Sequence, residues 1–352
     1  MTDLFTRRRF INASAAAGLT AMPSMIRAQA GSQTVIEGRT FRGTRPPGGS
    51  GLDGGTAISA KSDTLIRNCR FLDLGNGAIR LLGSSTRNFS IEDCEVSNMY
   101  RFIENWSWNH PNVPAPVDYF TLRRITARGL ERNFLRIRYG SARGVIEDVV
   151  AHGSGQCANY CVGFALDDEA NDIVYRRVEA HGFSETQRAA NRYWNGDGFS
   201  DERGNRQIRY LSCVATGCSD GGFDLKSADV FLEDCRASGN KRNFRLWNTG
   251  TLKSCRSENP VKNGGTGELA HFSFFGGSGA NYVLERPVVR AAAGNTAPVL
   301  FFQTTAPATI SIHDADIDAP SAPLIQVDGP APTIKWFPDR SQQKIRVARD
   351  MA

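Results

Sequence analysis

The feature that most constrains this chain is a four-residue segment that recurs along most of its length. An apolar residue is followed by two polar residues and then by Cys or an aliphatic, as in Ile66-Arg67-Asn68-Cys69, Ile91-Glu92-Asp93-Cys94 and Leu122-Arg123-Arg124-Ile125. The series continues at Ile146–Val149, Tyr175–Val178, Tyr210–Cys213, Leu232–Cys235 and Leu252–Cys255, and fades through Leu284–Pro287 and Ile312–Ala315. Successive starts lie 20 to 35 residues apart. The shortest spacing approaches the minimum circuit of a solenoid coil, and the longer ones leave room for loops at a corner.

A second apolar strand precedes most of these segments by about ten residues, a coil-internal spacing rather than a helical one. Its members are Ile79–Leu82, Leu135–Arg138, Phe164–Asp167, Phe199–Glu202, Phe223–Lys226, Phe244–Trp247 and Phe272–Phe275. Two short strands per coil with no helical period predict an all-β chain, a right-handed parallel β-helix of about ten coils. Strand alternation then turns Phe223 and Leu225 inward and Asp224 and Lys226 outward.

The repeat also explains the cysteines. Cys69, Cys94, Cys213, Cys235 and Cys255 share one inward position with Ile125, Val149 and Val178. Free Cys behaves as a small buried hydrophobe, so a core ladder is expected rather than a disulfide framework. Cys157 and Cys161 stand apart in a loop, where an oxidising compartment favours a local disulfide. Their C-x3-C spacing has no second ligand pair to make a metal site.

Residues 1–30 read as an export signal. Arg7-Arg8-Arg9-Phe10-Ile11 precedes an Ala- and Gly-rich apolar run that closes at Ala28-Gln29-Ala30, the order of a twin-arginine signal peptide. Residues 31–352 are then one β-helix domain, expected in the periplasm or outside the cell. The formal charge of +6 loses four arginines and one aspartate with the signal, leaving +3. The remaining charges of both signs are interspersed, unlike the basic stripe of a nucleic-acid binder. No apolar run approaches the length of a membrane span, and the chain is expected to act as a monomer.

Outward residues stacked in register form a ribbon, with neighbours about 4.8 Å apart from coil to coil. One column reads Arg80, Ile103, Arg136, Ala165, Ser200, Asp224, Arg245 and Ser273; the next reads Leu82, Asn105, Arg138, Asp167, Asp201, Lys226, Trp247 and Phe275. Charge collects on the middle coils, with Asp197 and Asp220 just upstream. Insertions at 106–118 and 184–196 flank this ribbon, and long loops on a solenoid commonly form functional walls. Trp106, Trp108, Tyr193, Trp194 and Trp247 offer flat faces to sugar rings.

Asn195-Gly196-Asp197-Gly198-Phe199, then Gly217-Cys218-Ser219-Asp220-Gly221-Gly222-Phe223-Asp224, then Asn243-Phe244-Arg245-Leu246 resemble the parallel β-helix polysaccharide lyases, nearest to the family 9 pectate-lyase pattern. The resemblance covers about 50 residues, 195–247, on the strand spacing of a β-helix. It implies that Asp197, Asp220 and Asp224 are calcium ligands and that Arg245 stands where the family carries its lysine base. Gly221 occupies the position of the pattern's second Asp.

Such an enzyme removes the C5 proton of a uronate and eliminates the 4-O-linked sugar. The developing charge then needs a fixed cation, Ca²⁺ or Arg and Lys side chains. Arg245 is expected as base with Lys226 beside it favouring the neutral form, and Arg136, Arg138, Asp167, Asp201 and Trp247 as binders of an acidic polysaccharide. Two other classes remain open. Pairs among Asp197, Asp201, Asp220 and Asp224 suit an inverting glycoside hydrolase, and the same ribbon suits a non-catalytic carbohydrate-binding or envelope β-helix. A C5-epimerase shares the proton abstraction.

Overall fold

The computed structural model describes residues 33–49, 53–81, 85–105, 113–277 and 279–351. The signal segment 1–30, together with Trp106 and Trp108, lies outside the described residues. From Gln33 onward the chain forms one compact unit, an all-β parallel solenoid of about 11 turns.

The recurring segment stacks in a single unbroken register. Ile66, Ile91, Leu122, Ile146, Tyr175, Tyr210, Leu232, Leu252, Leu284 and Ile312 pair coil to coil in that order. Ile36 extends this column upstream and Trp336 downstream, which accounts for a turn count above ten. Neither flanking coil carries the motif's closing Cys or aliphatic, so the pattern does not reveal them.

Each full coil has three strands where two are expected. The additional strand starts directly after the ladder position, and its inward column runs Phe71, Val96, Ala127, Ala151, Ala180, Ala215, Ala237, Ser257, Val289 and Ile317. Mostly small residues between polar ones give this strand a weak hydrophobic signal. What separates it from the preceding strand is a sharp corner. Asn68, Asp93, Arg124, Asp148, Arg177, Ser212, Asp234, Ser254, Arg286 and Asp314 all adopt left-handed φ near +50°. Asp and Asn tolerate that conformation best, and the second polar residue of the motif is this corner.

The core follows the sequence pattern. Cys69, Cys94, Cys213, Cys235 and Cys255 are buried free thiols, as is Cys218, whereas Cys157 and Cys161 are joined in a disulfide. Phe164, Phe199, Phe223, Phe244 and Phe272 stack ring on ring at 4.8–5.2 Å. Burying a Phe side chain is worth about 1.5–3 kcal/mol, and a stacked pair adds about 0.5–1.5 kcal/mol. This column therefore fixes the register of the strands that carry the ribbon. Among the described residues no helix is long and apolar enough to cross a membrane.

Candidate active site

Three consecutive strands, Gly196–Asp201, Gly221–Leu225 and Arg242–Leu246, carry the site. Their inward Phe199, Phe223 and Phe244 are paired in register, which stacks Ser200, Asp224 and Arg245 outward in one column. The turn after each strand places Glu202, Lys226 and Trp247 beside that column.

Arg245 is the centre of the cluster. Its Nε donates to Asp224 Oδ1 at 2.7 Å, its Nη2 to Asp220 Oδ2 at 2.9 Å and its Nη1 to the Tyr193 hydroxyl at 2.9 Å. Tyr193 in turn donates to Asp220 Oδ1 at 2.6 Å. The Trp247 indole donates to Asp224 Oδ1 at 2.6 Å and stacks on Phe275 at 4.5 Å. Lys226 pairs with Glu202 and lies 3.5 Å from Asp224 Oδ2. Arg242 reaches Tyr193 at 3.5 Å and donates to Gln303 at 3.0 Å. Asp197 accepts from the Gly221 backbone N–H at 2.6 Å.

The carboxyls are driven apart in acidity. Burial, reinforced by the charges of Asp220 and Asp224, pushes Asp197 well above the usual carboxylate range. Burial also opposes ionisation of Asp224, but Arg245 and Lys226 outweigh it and bring this carboxyl down to about 2. Asp197 thus holds its proton more tightly than Asp224, which its cationic neighbours favour as the anion. Burial disfavours the Arg245 charge, yet Asp220 and Asp224 outweigh it and hold the guanidinium more firmly protonated than free arginine. Burial lowers Lys241 and Arg242 and raises the Tyr193 phenol.

These contacts bear on the role expected of Arg245. Two carboxylates favour its cationic form, so in this arrangement it is a fixed positive charge. They also bear on calcium. Ca²⁺ takes six to eight oxygens, whereas here the guanidinium occupies the space between Asp220 and Asp224. A side chain at Gly221 would begin 2.9 Å from Asp197 Oδ1 and 3.0 Å from Asp224 Cβ, so an Asp there would require Asp197 to shift. No cluster of three or more His, Cys, Asp or Glu suited to a metal occurs among the described residues. With Arg245 in place between the carboxylates, the arrangement does not fit calcium.

The placement of Asp201 is corrected. It pairs with inward Leu166 and Leu225 and is fully buried. It accepts from the backbone N–H groups of Lys226 and Ser227 and from the hydroxyls of Ser227 and Tyr210. Glu202 takes the outward place. At the N-terminal end the column contains Glu104 rather than Ile103, since Glu104 pairs with Arg80 and Arg136. Arg136, Arg138 and Asp167 do come together, with Arg136 Nε 3.1 Å from Asp167 and Arg138 Nε 2.7 Å from Asp168. Ala165 and Ser200 separate Arg136 from Asp224 in the column, a gap of three strand spacings or about 14 Å.

The insertion at 184–196 contributes chemistry as well as a wall. Tyr193 enters the cluster through its hydroxyl, and Trp194 packs against Gly264 and Gly265 of the facing loop. Lys241, just before the Phe244 strand, Arg242, its first residue, and Glu202 complete the cluster without having been singled out in the sequence. Counting two residues on from Ser200 would have found Glu202; nothing local marks Lys241, whose partners lie in two distant loops.

In sequence the chain matches no protein-family model and no curated protein. Solved structures resemble it in fold. The Azotobacter vinelandii mannuronan C-5 epimerase AlgE4 A-module aligns over 86% of this chain and 91% of its own, with a TM-score of 0.53 and 15% identity. The catalytic domain of a GH87 α-1,3-glucanase aligns over 90% of this chain and 58% of its own, with a TM-score of 0.46 and 13% identity. Pectate lyase Pel9A aligns over 85% of this chain and 68% of its own, with a TM-score of 0.40 and 15% identity. At these identities the likeness, carried by the first of the three, is one of fold: this chain shares the parallel β-solenoid of the epimerase module.

Proposed function

We propose that this chain is an exported enzyme that cleaves a uronate-containing polysaccharide by β-elimination at the Tyr193–Asp220–Asp224–Arg245 cluster. The observation that carries the reading is the Tyr193 hydroxyl, held between Asp220 Oδ1 and the Arg245 guanidinium. The uronate carboxylate docks against Arg245 and Lys226, which neutralise charge as the enolate develops. The Tyr193 oxygen takes the C5 proton while its own proton passes to Asp220. The C4–O bond breaks as the C4–C5 double bond forms, and the leaving oxygen takes the proton of neutral Asp197. No step requires a metal. The disulfide between Cys157 and Cys161 supports export to an oxidising compartment, consistent with the twin-arginine reading of residues 1–30.

The acidity split between Asp197 and Asp224 favours one second reading, inverting hydrolysis, in which a neutral acid and an ionised base are the working pair. The two readings separate on one assay. Mature protein is incubated with pectate, alginate and other uronate polymers, and both ultraviolet absorbance and reducing ends are followed. Elimination yields the conjugated double bond. New reducing ends without that absorbance would assign hydrolysis, and neither signal would leave a binding protein.

A further inference from the structure

Lys241 has no place in the elimination steps, yet it is among the most completely enclosed cations of the chain, with no exposed side-chain surface. Its ammonium lies 3.7 Å from the centroid of the Tyr193 ring. It donates to the carbonyls of Trp194 at 3.3 Å and Thr266 at 3.1 Å, and it stands 3.5 Å from Asp220 Oδ1. Those partners come from three places: the 184–196 insertion, the facing loop 259–269 and the ribbon itself. The two loops also meet directly, where Thr266 N–H donates to the Arg192 carbonyl at 2.9 Å. An ammonium has three protons and no lone pair, and here its directions are taken by two carbonyls, a carboxylate and an aromatic face. None is left for a substrate.

We infer that Lys241 is a positioning residue for Tyr193: one buried cation bolts both covering loops to the ribbon and holds the phenol ring flat above it, so that the hydroxyl stays between Asp220 and Arg245. This rests on the proposed role of Tyr193 for its catalytic meaning, but the positioning itself is testable without any substrate. Buried cation–π contacts are worth more than exposed ones, and the paired carbonyls would be left without a donor if the ammonium were removed. Removing it loosens the stretch where Trp194 and Thr266 meet, because Lys241 donates to a carbonyl of each loop there.

The test compares wild type, Lys241→Met and Lys241→Arg in the oxidised mature protein. Tyrosines are nitrated with tetranitromethane and mapped by mass spectrometry, with exposed Tyr119 and Tyr160 as internal references. Trypsin cleavage after Arg188 and Arg192 is timed in parallel. Lys241→Met should raise Tyr193 nitration and loop cleavage about tenfold over the references while the solenoid stays folded, and Lys241→Arg should return both towards wild type, since it restores a cation at the aromatic face. Unchanged nitration and cleavage in folded Lys241→Met would overturn the inference. Should Lys241→Met fail to fold, Gly265→Ala is used, because its added Cβ would sit 2.5 Å from the Trp194 ring. Acylation of Lys241 must then rise relative to exposed Lys262; continued protection would equally overturn it. Where wild type turns over a uronate polymer, Lys241→Met should lower kcat about a hundredfold with KM within threefold, the range expected for a misplaced acid–base group. If wild type is inactive on every polymer while the loops open as stated, the elimination reading fails and the positioning role stands.

Discussion

Asp201 offers a direct test of which side chains face the ribbon and which face the core. Burial raises its carboxyl from 3.8 to about 6, against the four hydrogen bonds that favour the anion. The native state therefore holds the Asp201 proton more tightly than the unfolded chain does. Between about pH 4 and pH 6 the folded protein carries more protons at this site than the unfolded one, so stability falls as pH rises through that window. The pKa difference corresponds to about 3 kcal/mol of stability, fully present below pH 4 and fully lost above pH 6. Asp201→Asn keeps the acceptor oxygen for the Lys226 and Ser227 N–H groups and cannot titrate. Urea unfolding of wild type and variant at several pH values isolates the effect, because all other titrations cancel in the difference. Relative to the variant, wild type should lose about 2.5 kcal/mol between pH 4 and pH 7. A pH-independent difference would refute the buried placement, as would a large loss of polysaccharide binding at unchanged stability, which is what an outward, substrate-facing Asp201 would give.

Tyr193→Phe should keep the fold and lower kcat by about 10²–10⁴-fold, the usual contribution of a positioned proton carrier; melting temperature and initial rates on the cleaved polymer check it, and a fully active variant would remove Tyr193 from the mechanism. Phe223→Ala, in the middle of the aromatic stack, should cost about 3–5 kcal/mol in urea unfolding. A loss below 1 kcal/mol would mean that the Phe column does not set the register of the site strands.

The elements most legible in the sequence are those whose residues repeat under one physical demand. An inward position accepts Cys, Ile, Val or Leu and rejects charge, so the ladder through Cys69, Cys94 and Cys213 and the Phe199–Phe223–Phe244 column show in the spacing alone. The Ala127–Ala151–Ala180 strand does not, because small residues flanked by polar ones carry no clear period. Asp201 misleads for a related reason. A carboxylate in an inward place looks outward by type, and only the Ser227 and Tyr210 hydroxyls with two backbone N–H groups make it tolerable inside. Clustering of Asp197, Asp220, Asp224 and Arg245 is readable from strand register. The entry of Tyr193 and Lys241 is not, since loop closure across 25 or more residues leaves no local trace.

Charge balance explains why this ribbon carries an arginine between aspartates. Like charges one strand spacing apart, about 4.8 Å, repel by about 3.5 kcal/mol at an effective dielectric of 20. A column of carboxylates on successive coils therefore needs a metal or a cation from a neighbouring coil. Here Arg245 stacks on Asp224 in register and also reaches Asp220, so the protein supplies the cation itself. Arg245→Ala removes it and leaves Asp220 and Asp224 buried beside Asp197 without their main countercharge, a change that costs about 3–5 kcal/mol when a buried pair is broken. The space vacated by the guanidinium is then lined by carboxylate oxygens, the donors that calcium prefers. Melting temperature measured with Ca²⁺ and with chelator should be unchanged in wild type, and should rise with Ca²⁺ in Arg245→Ala, because a ligand that binds only the folded state stabilises it by mass action. An equal rise in wild type would show that the metal binds with Arg245 in place and would sink the argument that the guanidinium stands in for it.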